Sequence, residues 1–167
     1  MTKVLIIDDE IEVGRFLQYF LSSKGLDVQV GCNGTDFNKL ISQHQFQLAM
    51  LDVKLPDTTG LLLLEKLKET QPFCKTIIMT GYSTVKTALE AIKLGANDYI
   101  EKPFDNIDRL EALIDELLEQ TVTSDQSEIK ELAINAGMIF GDHLEMNQLV
   151  TMAYKIAKKN VNILIEG

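Results

Sequence analysis

The stretch Leu48-Ala49-Met50-Leu51-Asp52-Val53-Lys54-Leu55-Pro56 restricts what this chain can fold into more than any other. An apolar run this short, closed by a proline, reads as a buried strand of a parallel sheet. Asp52 then stands at the carboxyl edge of that sheet, where open α/β folds place ligands and chemistry. An earlier run, Val4-Leu5-Ile6-Ile7, also ends in acid, at Asp8, Asp9 and Glu10. Two strands therefore bring three or four carboxylates to one edge. Carboxylates about 5 Å apart repel by roughly 3 kcal/mol per pair at an effective dielectric near 20, so a hard divalent cation is expected among them. Oxygen-only ligands with room for water favour Mg2+, or Mn2+, over zinc.

The rest of the chain alternates strand-like runs with stretches of helical period. Val4 to Ile7 is followed by a helix from Ile11 to Lys24 with Val13, Phe16, Leu17, Phe20 and Leu21 on one face, closed by Gly25. Asp27 to Val30 is a short strand, and Asn33 or Thr35 caps a helix through Gln43. Phe46 to Leu51 is the central strand. Gly60 to Glu69 is helical with Leu61, Leu64 and Leu67 inward, and Thr76 to Met79 is the fourth strand. Ser83 is expected to cap a helix that sets Val85, Ala88, Leu89 and Ile92 on one face and stops at Gly95. Asp98 to Ile100 is a fifth strand. A last helix from about Asp105 turns Ile107, Leu110, Leu113, Ile114 and Leu117 inward. Five such units with right-handed crossovers predict an α/β fold, a doubly wound five-stranded parallel sheet.

At 167 residues the chain exceeds one ordinary domain by some 40, and its net charge of −9 with a pI near 4.7 argues against direct nucleic-acid or membrane-surface binding. Protein partners and a small cation are expected instead. Cys32 and Cys74 have no metal or redox spacing and read as ordinary thiols. No apolar run approaches the roughly 18 residues of a spanning helix, and no signal-peptide layout precedes the first strand. A cytoplasmic protein is the expectation.

Two further strand ends carry polar groups. The fourth gives Thr80 before Gly81, and the fifth gives Lys102 before Pro103. A carboxylate nucleophile, acids for a metal, a hydroxyl and an ammonium are what accepting a phosphoryl group on Asp52 requires. The set Asp8-Asp9, Asp52, Thr80 and Lys102-Pro103 resembles the receiver domain of two-component response regulators, over residues 1–120. That resemblance implies a flavodoxin-like fold, Asp52 as phosphoacceptor for a sensor histidine kinase, and Mg2+ bound by Asp9, Asp52 and the backbone carbonyl of Lys54. Asp8 would assist through water or an outer contact. Thr80 would bond a phosphoryl oxygen, Lys102 would pair with it, and Tyr99 matches the switch aromatic that packs inward when Thr80 moves. Lys54 and Tyr82 stand where that family varies, beside the path of the hydrolytic water.

From Glu119 to Gly137 the composition turns rich in Thr, Ser, Gln and Glu, which reads as a linker, residues 121–137, or as a polar continuation of the last helix. From Met138 the chain resembles the opening of the AAA+ ATPase domain of sigma-54-dependent transcriptional activators. The likeness rests on Ile139-Phe140-Gly141, the helical spacing after it, and Asn162-Ile163-Leu164-Ile165-Glu166-Gly167, so residues 138–167 are expected to be a fragment of that domain. The lysine and Ser/Thr of a phosphate loop are not in this sequence, so no ATPase activity is expected, and self-dephosphorylation is the only turnover expected of it. Sigma-54 RNA polymerase and DNA would be met only through domains outside this chain. The resemblance also implies dimers, and Leu110, Leu113, Leu117 and Val122 suggest a seam along the last receiver helix and linker.

Two other readings compete. A stand-alone receiver or pseudo-receiver would act through protein contacts alone, but a pseudo-receiver would have lost part of the acidic set. A Mg2+-dependent aspartyl-phosphate phosphatase of the haloacid dehalogenase type carries a second acid two residues after its nucleophile, where this chain has Lys54.

Overall fold

A computed structural model describes residues 1–81 and 84–119. Among them, five strands and five helices alternate: β1 Lys3–Ile7, α1 Ile11–Ser23, β2 Asp27–Gly31, α2 Gly34–Gln43, β3 Leu48–Asp52, α3 Gly60–Thr70, β4 Lys75–Thr80, α4 Val85–Lys93, β5 Asp98–Glu101 and α5 Ile107–Glu119. The strands pair in parallel in the order β2-β1-β3-β4-β5. The chain runs outward from β1 to β2, then returns past β1 to place β3 on its other side. The crevice beyond the ends of β1 and β3 is thus the topological switch point, where ligands of open α/β sheets bind.

Alternation along the strands feeds two cores. Val4, Ile6, Leu48, Met50, Ile77 and Met79 pack against α1 and α5 through Leu17, Leu21, Leu110, Ile114 and Leu117. Leu5, Ile7, Ala49, Leu51 and Ile78 pack against α2, α3 and α4 through Phe37, Leu63, Leu64, Leu67 and Ala91. All five residues of β3 are buried, as a strand covered by helices on both faces requires. The pairing register sets Asp52 beside Met79 of β4.

Caps explain most of the helix ends. Asn33 accepts the Asp36 N–H at 2.8 Å at the start of α2, and Thr59 accepts that of Leu62 at 3.4 Å at the start of α3. Gly25, at φ +80°, ends α1 in the left-handed conformation that a Cβ disfavours. Helix α5 begins at Ile107, later than the expected Asp105, because the Asn106 side chain accepts the Arg109 N–H at 2.9 Å. The N-cap of α4 is Thr84, whose hydroxyl accepts the Thr87 N–H at 3.1 Å, one residue beyond the expected Ser83. Strand β3 starts at Leu48 and not at Phe46, whose N–H is taken at 2.8 Å by the Gln71 side chain.

Several expected core residues sit elsewhere. Phe16 is 40% exposed and stacks between Phe20 and Phe104, with ring centroids 6.1 and 6.3 Å away. Leu63 takes the buried place expected of Leu61, which is half-buried. In α4 only Ala91 is fully buried; Ala88, Leu89 and Ile92 are half-buried, and Val85 is 75% exposed. Ile107 and Leu113 of α5 are half-buried too. The reason for α4 is its seat over β5, an edge strand with no fully buried residue. Cys74 is buried, which pushes its thiol up to about 12. Tyr82, Ser83, the segment 120–137 with Val122, and the segment 138–167 lie outside the described residues. No helix among the described residues is long and apolar enough to cross a membrane.

Gly60 locks α3 onto the end of β3. Its N–H donates to the Val53 carbonyl at 3.0 Å, and a Cβ there would press into the Asp52 carbonyl, 2.8 Å from its carbon. Backbone cannot yield as a flexible side chain does, so Gly60→Ala is expected to cost about 3 kcal/mol, at the upper end of overpacking. Denaturant unfolding of the two proteins measures it.

Candidate functional site

Each strand end at the switch point delivers one group. Asp8 follows β1 directly; its N–H donates to the Gly31 carbonyl at 3.1 Å, and its Oδ1 accepts the Glu10 N–H at 2.9 Å. Asp8 is fully buried and Asp52, at the end of β3, nearly so, whereas Asp9 is exposed. Thr80 ends β4 and is buried. Lys102 follows β5, its own N–H donating to the Thr80 carbonyl at 2.8 Å, and its peptide bond to Pro103 is cis.

Side chains close the arrangement. The Lys102 ammonium lies 3.3 and 3.1 Å from the two oxygens of Asp8, 2.6 Å from Glu10 Oε1 and 3.5 Å from Asp52 Oδ2. Asp8, Asp9 and Asp52 each offer an oxygen, and the three oxygens lie within 4.8 Å of one another. Lys54 N–H donates to the Asp52 carboxylate, and the Lys54 backbone is held by an antiparallel bridge to Thr59. Tyr99 stands opposite Ile78 in register, with its ring against the α2–α4 core and its hydroxyl buried.

Burial dominates the electrostatics. It pushes Asp52 up to about 6, helped by the charge of Asp8 and opposed by Lys102 and the Lys54 N–H. Burial also raises Asp8, against the Glu10 N–H and Lys102. For Lys102 burial alone would lower the value; its bonds to Glu10 and Asp8 and the charges of Asp8 and Asp52 outweigh that and hold it at about 12. Three carboxylates thus meet one ammonium, and a fourth, Asp9, lies beside two of them. An oxygen-only donor set with this excess of negative charge fits a hard divalent cation.

The structure brings together Asp8, Asp9, Asp52 and Lys102 as the sequence predicts, and sets Thr80 at the neighbouring strand end. Sequence reasoning counted Glu10 among the acids at this edge but assigned it no place in the site. As N-cap of α1 it makes no side-chain capping bond; its carboxylate reaches back over the sheet edge to Lys102. The signal was the third acid of Asp8-Asp9-Glu10, too close to the strand end to belong to the helix surface.

Residues 4–115 match the family model of the response regulator receiver domain. The chain belongs to that family. ZraR of Escherichia coli (strain K12), a transcriptional regulatory protein, is 32% identical over 164 residues, which cover 98% of this chain and 37% of that protein. The putative response regulator NtrX-like of Rickettsia bellii is 33% identical over 172 residues, covering 98% of this chain and 35% of the relative. The chain therefore spans little more than a third of these curated relatives. The structure of response regulator TrrA from Thermotoga maritima, in complex with Mg2+-BeF, is 27% identical, with a TM-score of 0.63 over 71% of this chain and 100% of that one. The fold is the flavodoxin-like one of receivers, which use Mg2+ at such an acidic pocket.

The raised Asp52 value has a consequence for stability. A carboxyl whose value in the fold lies near 6, above its ordinary 3.8, binds its proton more tightly folded than unfolded. Stability is therefore lost as pH rises from about 4 to 6, by up to about 3 kcal/mol. Asp52→Asn removes this loss. Without metal it is expected to stabilise the protein by about 1–3 kcal/mol at pH 7.5 and by nearly nothing at pH 4, as denaturant unfolding at the two pH values will read.

Proposed function

We propose that this chain is the phosphoryl-accepting part of a two-component response regulator, with Asp52 taking a phosphoryl group from a sensor histidine kinase. The observation that carries it is a buried carboxylate at the switch point with an ammonium 3.5 Å away and two further acids beside it. An Asp52 oxygen attacks phosphorus in line; the new O–P bond forms as the P–N bond to the kinase histidine breaks, and the histidine leaves with the electron pair. Asp9, Asp52 and the Lys54 carbonyl would hold Mg2+, with Asp8 assisting, and the ion would neutralise phosphoryl oxygens. Lys102 exchanges part of its carboxylate contact for a phosphoryl oxygen, so the charge brought in meets an ammonium already in place. The Thr80 hydroxyl donates to another oxygen, and Tyr99, whose ring already lies against the α2–α4 core, repacks with it. The chain acts as a phosphoacceptor that loses the group slowly, and not as an ATPase.

Control of a sigma-54-dependent activator is the wider reading. Its support is the alignment with a transcriptional regulatory protein, which covers 98% of this chain and so runs past the receiver, together with the likeness of residues 138–167 to the opening of an AAA+ domain. Sigma-54 RNA polymerase and DNA would be contacted by other parts of such a protein.

Incubation with Mg2+ and acetyl phosphate tests the chemistry. One alkali-labile acyl phosphate per chain is expected, none in Asp52→Asn. Mg2+ at millimolar concentration is expected to raise the thermal midpoint by mass action, and Asp9→Asn to remove most of that rise. Undiminished labelling of Asp52→Asn would remove the assignment.

The same reading includes self-association that phosphorylation alters. The shallow seating of α4 leaves Val85 exposed and Ala88, Leu89 and Ile92 half-buried on the Tyr99 side of the sheet, whereas Leu110 and Leu117 of the expected α5 seam are buried in the opposite core, with Leu113 half-buried beside them. Thr80 and Tyr99 then bias a dimer seam. Sedimentation with and without beryllofluoride is expected to show a change in association at tens of micromolar. A monomer in both states ends the idea, and an unchanged dimer removes the switch.

A further inference from the structure

The loop from Val53 to Thr59, between β3 and α3, carries the Lys54 N–H that bonds the Asp52 carboxylate and is fastened at both ends. At its base, Lys54 bridges Thr59, Gly60 N–H reaches the Val53 carbonyl at 3.0 Å, and Lys54 N–H bonds the Asp52 carboxylate. At its tip, Asp57 crosses to the start of α2. Asp57 Oδ1 accepts the Gly34 N–H at 2.8 Å, and Oδ2 accepts the Thr35 N–H at 3.3 Å with the Thr35 hydroxyl at 3.5 Å. The Thr58 methyl lies over Gly34 so closely that a Cβ there would come within 2.8 Å of it.

Helix α2 already has its own cap, since Asn33 accepts the Asp36 N–H. Asp57 takes the two N–H groups that Asn33 leaves, and its negative charge suits that end of the helix dipole. A local cap would do this from α2 itself. This one comes from the loop, so what it fixes is the loop.

We propose that Asp57 is a positioning residue for the phosphoacceptor site: by anchoring the loop tip to α2 it holds the Lys54 backbone where it serves Asp52 and the cation. This rests on the proposed phosphoacceptor reading. Asp57 touches neither the reacting atoms nor the metal. Outer groups that orient metal ligands are worth about 10- to 100-fold in affinity, and an exposed carboxylate belongs at the low end.

The test uses the full chain with three variants: Asp57→Ala, Asp57→Asn, which keeps one oxygen acceptor, and Asn33→Ala, which removes a cap of the same helix without touching the loop. The readouts are the Mg2+ concentration giving half the maximal rise in thermal midpoint, and amide exchange at Lys54 and Gly60. Asp57→Ala is expected to need about tenfold more Mg2+ and to exchange faster at both amides, with Asp57→Asn restoring most of each. Asn33→Ala is expected to lower the midpoint while leaving Mg2+ requirement and exchange unchanged. If Asp57→Ala behaves as Asn33→Ala does, Asp57 is only a helix cap and the proposal is overturned. If the wild type neither responds to Mg2+ nor takes label from acetyl phosphate, the phosphoacceptor reading falls, and faster or unchanged exchange at Lys54 and Gly60 then upholds or overturns the loop anchor by itself.

Discussion

Asp52 is carried out of water by the strand it ends. Leu48, Met50 and Leu51 are fully buried, and each such side chain contributes about 1.5–3 kcal/mol to folding. Against them stands the net cost of keeping Asp52 charged, led by burial and with its neighbours already counted, of up to about 3 kcal/mol at neutral pH. The apolar residues win, so the strand folds with its acid in place and the conflict has to be met by neighbours. That one constraint explains the rest of the pocket. Asp8, buried beside it, deepens the conflict, and Lys102 relieves it from the far side of β4.

The relief depends on topology. Lys102 reaches Asp8 only because β5 lies next to β4 and the Lys102 N–H fastens the strand end to the Thr80 carbonyl. Glu10 completes it from the first turn of the chain, 92 residues away in sequence. One ammonium cannot neutralise this many carboxylates. The residual negative charge is what would make the pocket a receptor for a divalent ion, and a phosphoryl group would follow the ion in.

The strands and the strand-end residues were legible because their cause is local. A short apolar run with an acid at its end states both burial and position; Asp8, Asp52 and Thr80 lie one residue past the last apolar residue of such a run, and Lys102 two. What sequence missed depends on three-dimensional neighbours. Leu61 and Leu63 share the apolar character of α3, and only the sheet beneath decides which turns inward. Phe16 fits the helical stripe of α1, yet Phe20 and Phe104 offer it a stack near the surface. Thr84 and Ser83 are equal as caps until the backbone selects one. Asp57 gave no signal of its contact, since nothing in Pro56-Asp57-Thr58 announces a helix terminus 22 residues upstream.

Unequal packing divides the domain into a rigid part and a yielding one. Strands β1, β3 and β4 are buried almost throughout, so the acids and Thr80 hang on a frame that resists displacement. Strand β5 has no fully buried residue and α4 has one. Elements that move in switching come from the weakly packed end of a fold, because there the free energy of rearrangement is small enough for a ligand contact to supply. Thr80 stands at the border between the two parts, its strand in the rigid frame and its carbonyl bonded to the first residue after β5. A pull on Thr80 therefore has little to move in β3 and much less to resist it in β5 and α4. The direction in which a signal would leave the pocket is fixed by where the core runs out.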